Sequence, residues 1–560
     1  MTLDEIALLL KNKNWDAYIV PHNNTFIGQD ILPEENKIME LCGFSGSAGT
    51  LLIMQNKTFL LVDGRYNIQA QKETSASSVE VVCTSESIGS WLQQNIKYPL
   101  TIAYNPWHHS ISEVDFWHRT LTRHNFVEDN KQILGSSLSS KEADIFEHRI
   151  EFSGISSDEK LSYLTQYIQE NHLDAFLLCE PDSVSWLLNL RSDILPYTPI
   201  FRAFALMDKD GNISLYQQDF NKLEDELSAL KNKIIGLSPN HTPQKINSII
   251  KQCKILKSNH HNPVEKWKSI KNPIEIDGFK KSHIRDGVAL CKFLYWLDNN
   301  WQNQTELSVV EKLYELRSQE QNFYKNSFAT IAGFGSNGAI VHYQPNEQTN
   351  LSLSEGNILL LDSGAQYFDG TTDVTRTIAI GNVTSQKIKD SFTQVLKAHI
   401  AAANTIFPPQ TSGSIIDGIA RSQLWQFGKD YAHGTGHGVG HFLNVHEGPF
   451  SLSQRRNNIA LEVGQITSIE PGYYVEDEYG IRIENLYYIS AMNNPEYPKP
   501  MLCFVPLTLV PIDKRLINKY LLNKQEICWL DQYHKFVFEQ LIDSLPAEIQ
   551  PWFAEACSPL

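Results

Sequence analysis

At 560 residues the chain is longer than one hydrophobic core organises, so two or three domains are expected. A net charge of −16 argues against nucleic acid and other polyanions as partners, because these are held by clustered Lys and Arg that displace counterions. The eight cysteines are scattered without a CxxC pair, no apolar run reaches membrane-spanning length, and the opening MTLDEIALLLKNKNWDAYIV places acids ahead of its short apolar stretch, so a cytoplasmic protein with no membrane association is expected.

Residues 3–12 have the spacing of an amphipathic helix, followed by a strand candidate at 15–20 that ends at Pro21. The phrase returns later: 161–171 is helical in pattern and 173–178 reads as a buried strand beginning with the same Asp-Ala step. Two related α/β domains are therefore expected, with polar boundary segments at 136–155 and 258–273. Helical periodicity over 274–299 opens a third. The predicted partition is 1–150, 151–268 and 269–560.

Within the third domain a second echo carries chemistry. Gly356 to Asp362 aligns with Gly464 to Glu470, each a turn, a strand and a terminal acid. A second acid follows each, Asp373 beside Val374-Thr375-Arg376 and Glu484 in GIRIE. Asp369-Gly370 is a turn signal that reverses the chain toward Asp373, and period-two alternation over 480–486 puts Arg482 and Glu484 on one face. Taken singly, each acid reads equally as strand-end or turn chemistry. The matched halves are what argue for a site.

Four carboxylates at the ends of buried strands repel one another unless cations neutralise them, and two divalent ions balance four negative charges. Oxygen ligands with one imidazole suit Mn²⁺ first, then Co²⁺, Zn²⁺ or Mg²⁺. The imidazole is expected from HGTGHGVGH at 433–441, where alternating glycines permit close approach and where His433 and His437 both stand available, leaving His441 as no ligand. Two such ions can share a hydroxide and polarise a carbonyl, which is metal-assisted amide hydrolysis. His342 and His446 are further candidates for oxyanion stabilisation or proton transfer. Gly333 to Gly338 matches GxGxxG, but no helix pattern follows it, so a hairpin turn is expected there instead of a phosphate loop.

The stretches LDSGAQYFDGTTDVTRT (361–377), HGTGHGVGHFLNVHEGP (433–449), and IEPGYY with GIRIEN (469–485) resemble the Xaa-Pro aminopeptidases, also called aminopeptidase P. GFSGSAGT (43–50) and LLVDGRY (60–66) resemble the N-terminal domain of their long, three-domain cytosolic form. The resemblance implies an α/β (α+β) chain: two ribonuclease-H-like, creatinase N-terminal-like domains, then a pita-bread catalytic domain with a C-terminal extension, forming a homodimer. It implies metal ligands Asp362, Asp373, His437, Glu470 and Glu484 for two Mn²⁺, with Glu470 also the general base. It places His342, His433 and His446 at the substrate, has Arg482 support Glu484 and organise the acid cluster, and gives Arg65 a substrate contact. His441 departs from a position where many relatives carry a small residue, which allows a further pocket contact. The implied substrates are peptides with proline second. The alternatives are a prolidase, limited to Xaa-Pro dipeptides, and a non-catalytic pita-bread protein that binds peptides.

Overall fold

The computed structural model describes every residue except 29, 136–137, 140–142, 253, 258–261 and 455–458. Parts of both expected boundary segments, and Cys253, lie outside the described residues. The chain divides into two compact units, one of residues 1–147, 155–195 and 199–266, the other of 148–154, 196–198 and 267–560.

In the first unit the helix Leu3–Lys13 opens with a capping box between Thr2 and Glu5. Its buried Ile6 and Leu10 join the core of a six-stranded sheet. The strand Ala17–Pro21 runs antiparallel to Thr50–Met54 on one side and parallel to Thr101–Tyr104 on the other. A second sheet repeats this plan, for Ala175–Leu178 lies antiparallel to Phe204–Asp208 and parallel to Ile234–Leu237. In both, the first strand of the repeat sits centrally, with an antiparallel meander on one flank and parallel strands on the other. The shared plan agrees with the two related α/β domains expected from the repeated helix–Asp-Ala–strand phrase, and with the ribonuclease-H-like fold that the resemblance implies.

The second unit is built from two successive helix–helix–sheet halves. The first has helices Pro273–Asn300 and Glu306–Ser318 and the antiparallel strands Ile331–Phe334, Asn357–Ser363 and Val374–Ile380. The second has helices Gln386–Ala403 and Gly413–Trp425 and a sheet in which Ile466–Ile469 pairs with Asn485–Met492. Pro273–Asn300 begins where the sequence dictates, with Asn272 capping, Pro273 in the first turn and Glu275 closing a capping box. The two equivalent strands are each entered through a glycine with positive φ, Gly356 at 93° and Gly464 at 90°, a conformation open to Gly without strain. The helix Lys524–Leu541, near the end of the chain, buries Leu530, Val537 and Leu541 in a core shared with Val288, Phe392 and Ile481.

Two local expectations change. Residues 480–486 are not one strand: Tyr479–Arg482 pairs with Gly472–Val475, the ladder breaks, and Asn485–Met492 joins a different sheet. Across the break Glu484 N–H donates to the Thr375 carbonyl at 3.1 Å, so the acid is tied to the first half. The GxGxxG segment forms a 3₁₀ turn, Gly335–Ala339, rather than a hairpin. Gly480 lets its main chain meet that turn, since a Cβ on Gly480 would stand 1.7 Å from the Gly338 carbonyl oxygen. Among the described residues no helix is long and apolar enough to cross a membrane.

Candidate metal centre

Asp362 lies near the end of Asn357–Ser363 and is directly opposite Thr375. Asp373 immediately precedes Val374–Ile380, after the turn that Asp369-Gly370 signals. Glu470 follows Ile466–Ile469, and Glu484 sits in the strand break. The two halves thus deliver their acids from matched strand ends to one place. Asp373, His437 and Glu484 offer ligand atoms that all lie within 4.8 Å of one another. His437 Nε2 is 3.4 Å from Asp373 Oδ2 and 3.5 Å from Glu470 Oε1.

The tautomer of His437 follows from its other nitrogen. Nδ1 lies 2.9 Å from the Gly438 carbonyl, which can only accept, so Nδ1 carries the proton. Nε2 points at two carboxylates, the position from which an imidazole lone pair can share a cation with them. Asp362 Oδ1 is buried and has no hydrogen-bond partner among the described residues. Burial, then the charges of Asp362 and Glu470, hold the Asp373 carboxyl well above the usual carboxylate range, with Arg482 opposing. Burial and the Asp373, Glu470 and Asp362 charges do the same to Glu484. Burial also raises Glu470, against the opposing effects of His437 and Arg482. An orphaned carboxylate oxygen, an inward-facing imidazole nitrogen and mutually destabilised acids are what a site for divalent cations presents.

Arg482, buried in the centre, contacts Asp362 Oδ2 and donates from Nη1 to the Tyr474 hydroxyl at 2.6 Å. A hydrogen-bonded path to Glu484 runs through Thr375, whose Oγ1 accepts from Arg482 Nε at 3.1 Å and donates to Glu484 Oε2 at 2.7 Å. His433 donates from Nδ1 to the Gly434 carbonyl at 2.7 Å, leaving Nε2 to accept from the Tyr474 hydroxyl at 2.8 Å. Its Nδ1 also lies 3.9 Å from Glu470 Oε2. The ring of His446, exposed, stands edge-on to His437 with centroids 4.4 Å apart. His342 follows Val341, whose carbonyl accepts from Arg482 Nη1 at 3.4 Å.

Tyr474, which couples Arg482 to His433, was missed by sequence reasoning, as were Thr375 and Ser468, whose Oγ accepts from His437 N–H and donates to Glu470. Their only sequence signal is position: Tyr474 stands four residues beyond Glu470, and Thr375 two beyond Asp373. His441 is buried, its ring 5.5 Å from those of Phe279 and His148, with Nδ1 3.9 Å from Glu275; it faces packing rather than the cleft. Arg65 belongs to the other unit, where both oxygens of Asp63 hold its guanidinium at 2.9 and 2.6 Å.

Matched half-domains that converge on a carboxylate-rich centre with one imidazole define a hydrolase of the pita-bread class. Residues 277–491 match the model of metallopeptidase family M24, and 500–560 match that family's C-terminal region. Residues 3–131 and 138–230 match creatinase/prolidase N-terminal domains. The chain is 33% identical to a probable Xaa-Pro aminopeptidase P of Laccaria bicolor, over 100% of this chain and 93% of that protein. It is also 33% identical to Xaa-Pro aminopeptidase 1 of Dictyostelium discoideum, over 96% and 92%. The crystal structure of an X-prolyl aminopeptidase from Caenorhabditis elegans, described as a cytosolic enzyme with a di-nuclear active site, superposes with a TM-score of 0.91 at 29% identity, covering 98% of this chain and 95% of that one. The chain belongs to metallopeptidase family M24, in its Xaa-Pro aminopeptidase P branch.

Proposed function

We infer that this chain is a metalloaminopeptidase that hydrolyses the peptide bond between an N-terminal residue and a penultimate proline. The observation that carries the reading is the convergence of Asp362, Asp373, His437, Glu470 and Glu484, in a chain related over its full length to Xaa-Pro aminopeptidases. These five residues are proposed to hold two divalent cations, Mn²⁺ before Co²⁺ or Zn²⁺. When bound, such cations lower the pKa of an attacking water and polarise the scissile carbonyl. Four carboxylates, one guanidinium and two divalent cations leave one net positive charge, suited to a developing oxyanion.

The chain's own groups supply the rest. Glu470, whose carboxyl is raised, is proposed to take the proton of the water and pass it on. The amine that departs from a prolyl bond must leave protonated, and the exposed His446 ring beside His437 is the donor proposed for it. His433, whose Nδ1 donates to the Gly434 carbonyl, and His342 are proposed to line the substrate, with Arg65 a further contact. Proline's tertiary amide lacks N–H and escapes proteases that bind extended backbone through hydrogen bonds, so a pocket shaped to the ring is the available means of recognition. The domain partition 1–150, 151–268 and 269–560 and a cytoplasmic location belong to the same reading.

A homodimer is proposed as well. The helix Gly413–Trp425 and the residues after it expose Ile415, Trp425 and Phe427, at 55%, 51% and 42%, and a second copy would cover them. Ile415→Asp is expected to shift the sedimenting species toward monomer.

The test is an assay of metal-depleted protein on Arg-Pro-Pro with Mn²⁺, Co²⁺ or Zn²⁺ restored separately. Release of free arginine supports the reading. Hydrolysis of Xaa-Pro dipeptides alone would assign a prolidase, and no hydrolysis with either substrate a non-catalytic peptide binder.

A further inference from the structure

We infer that Lys268 and Lys271, acting through Glu447, are positioning residues that hold His446 and His437 in register with each other. The two lysines lie in the segment that leads into the helix Pro273–Asn300, and both are buried, as is Glu447. Lys268 Nζ donates to Glu447 Oε1 at 3.1 Å, and Lys271 Nζ donates to Glu447 Oε2. Each carboxylate oxygen therefore has its own ammonium partner. Lys271 is fastened further, its N–H to the Gly464 carbonyl at 3.0 Å and its Nζ to the Ser269 carbonyl at 3.3 Å.

Glu447 is the residue after His446, and it begins the strand Glu447–Leu452, which pairs with Gly436–Gly438. The ladder is irregular between His437 and Gly438, and at that point Gly438 lies opposite Glu447. The two backbones touch so closely that a Cβ on Gly438 would stand 2.4 Å from the Glu447 carbonyl oxygen. A displacement of Glu447 thus moves two neighbours at once: His446 through the peptide bond, and His437 through the Gly438 contact. A bulged, glycine-rich ladder has few side-chain contacts to set its register. The buried ionic clamp fixes it from outside.

A clamp serving only to fill space would be replaceable by apolar groups of similar volume, since buried ion pairs commonly add little net stability over such replacements. Positioning is what would be lost. The first turn of the helix that follows also meets the far end of the loop, where Glu275 Oε1 lies 3.9 Å from His441 Nδ1.

The inference rests on the aminopeptidase reading for the role of His446, and its test separates the two. In the metal-reconstituted full-length protein, Glu447→Gln is expected to lower kcat on Arg-Pro-Pro roughly tenfold or more, as for groups that orient metal-site residues, with KM within about twofold. Amide exchange across 438–450 should quicken in the same variant. The triple variant Lys268→Met/Lys271→Met/Glu447→Leu should recover the melting temperature without recovering kcat. A Glu447→Gln protein with wild-type kcat and wild-type exchange, or a triple variant restored in both kcat and melting temperature, overturns the positioning role. Wild-type protein inactive on Arg-Pro-Pro with every metal would instead sink the aminopeptidase reading, while exchange across 438–450 would still decide the clamp.

Discussion

Arg482 and Asp362 form an ion pair buried within the acid cluster, joined across 120 positions of sequence. One oxygen of Asp362 is committed to the guanidinium and the other is orphaned. Arg482→Met removes the guanidinium that pairs with that carboxylate. Breaking a buried pair from one side costs about 3–5 kcal/mol, so the metal-free variant should unfold at markedly lower urea. Added Mn²⁺ should recover more stability in the variant than in the wild type, which paired urea titrations measure.

Glu470→Gln keeps the size and one acceptor oxygen but cannot hold a proton in transit. Turnover on Arg-Pro-Pro should fall by about 10²–10⁴, the range for loss of a general acid–base group. Metal content by mass spectrometry should stay above that of an Asp373→Ala protein. Substantial retained turnover removes Glu470 from the mechanism.

Tyr474 has its hydroxyl pushed up to about 12 by burial, with Arg482 opposing, so it stays protonated and can donate to His433. Tyr474→Phe deletes the hydrogen bonds that hold His433 and receive Arg482. A bond to a charged group contributes about 1.5–3 kcal/mol, so a loss of roughly 10- to 100-fold in kcat/KM is expected, with secondary structure unchanged by circular dichroism.

Metal dependence should vary with pH. The carboxyls of Asp373, Glu484 and Glu470 are raised in the fold, so the folded metal-free state binds more protons than the unfolded one. Their contribution to stability is present below the unfolded values of 3.8 and 4.5 and is lost as pH rises through the folded ones. Divalent cations bind the ionised form. The rise in melting temperature on adding Mn²⁺ should therefore be larger at about pH 8 than at about pH 5.5.

Acid acts in the opposite sense on buried imidazoles. Burial lowers His22 and His283 to about 4 and His108, His399 and His534 to about 3, from 6.5. Their depressed values mean that the stability from keeping them neutral is full above the unfolded value of 6.5 and is lost as pH falls toward the folded ones. Melting temperature should decline between pH 6.5 and 4, with protons taken up on unfolding, measurable by scanning calorimetry in buffers of different ionisation enthalpy. Replacing His399 by Gln should flatten that decline.

Much of the architecture is local and was legible in the residues. The helical periodicity over 274–299, the repeated Asp-Ala strand openings, and the glycines entering the strands that lead to Asp362 and Glu470 are short-range signals, and each has the expected backbone. Strand-end acids and a histidine–glycine loop could be singled out for the same reason: the residue types and their immediate neighbours carry the information. Partners could not be. Whether Arg482 meets Asp362 or Glu484, whether 480–486 stays one strand, and whether GxGxxG holds a phosphate or packs Gly338 on Gly480 depend on how the two halves close on each other. Glu447 is separated from Lys268 by 179 residues, and their pairing is set by burial, which alone makes an unpaired charge too costly to leave.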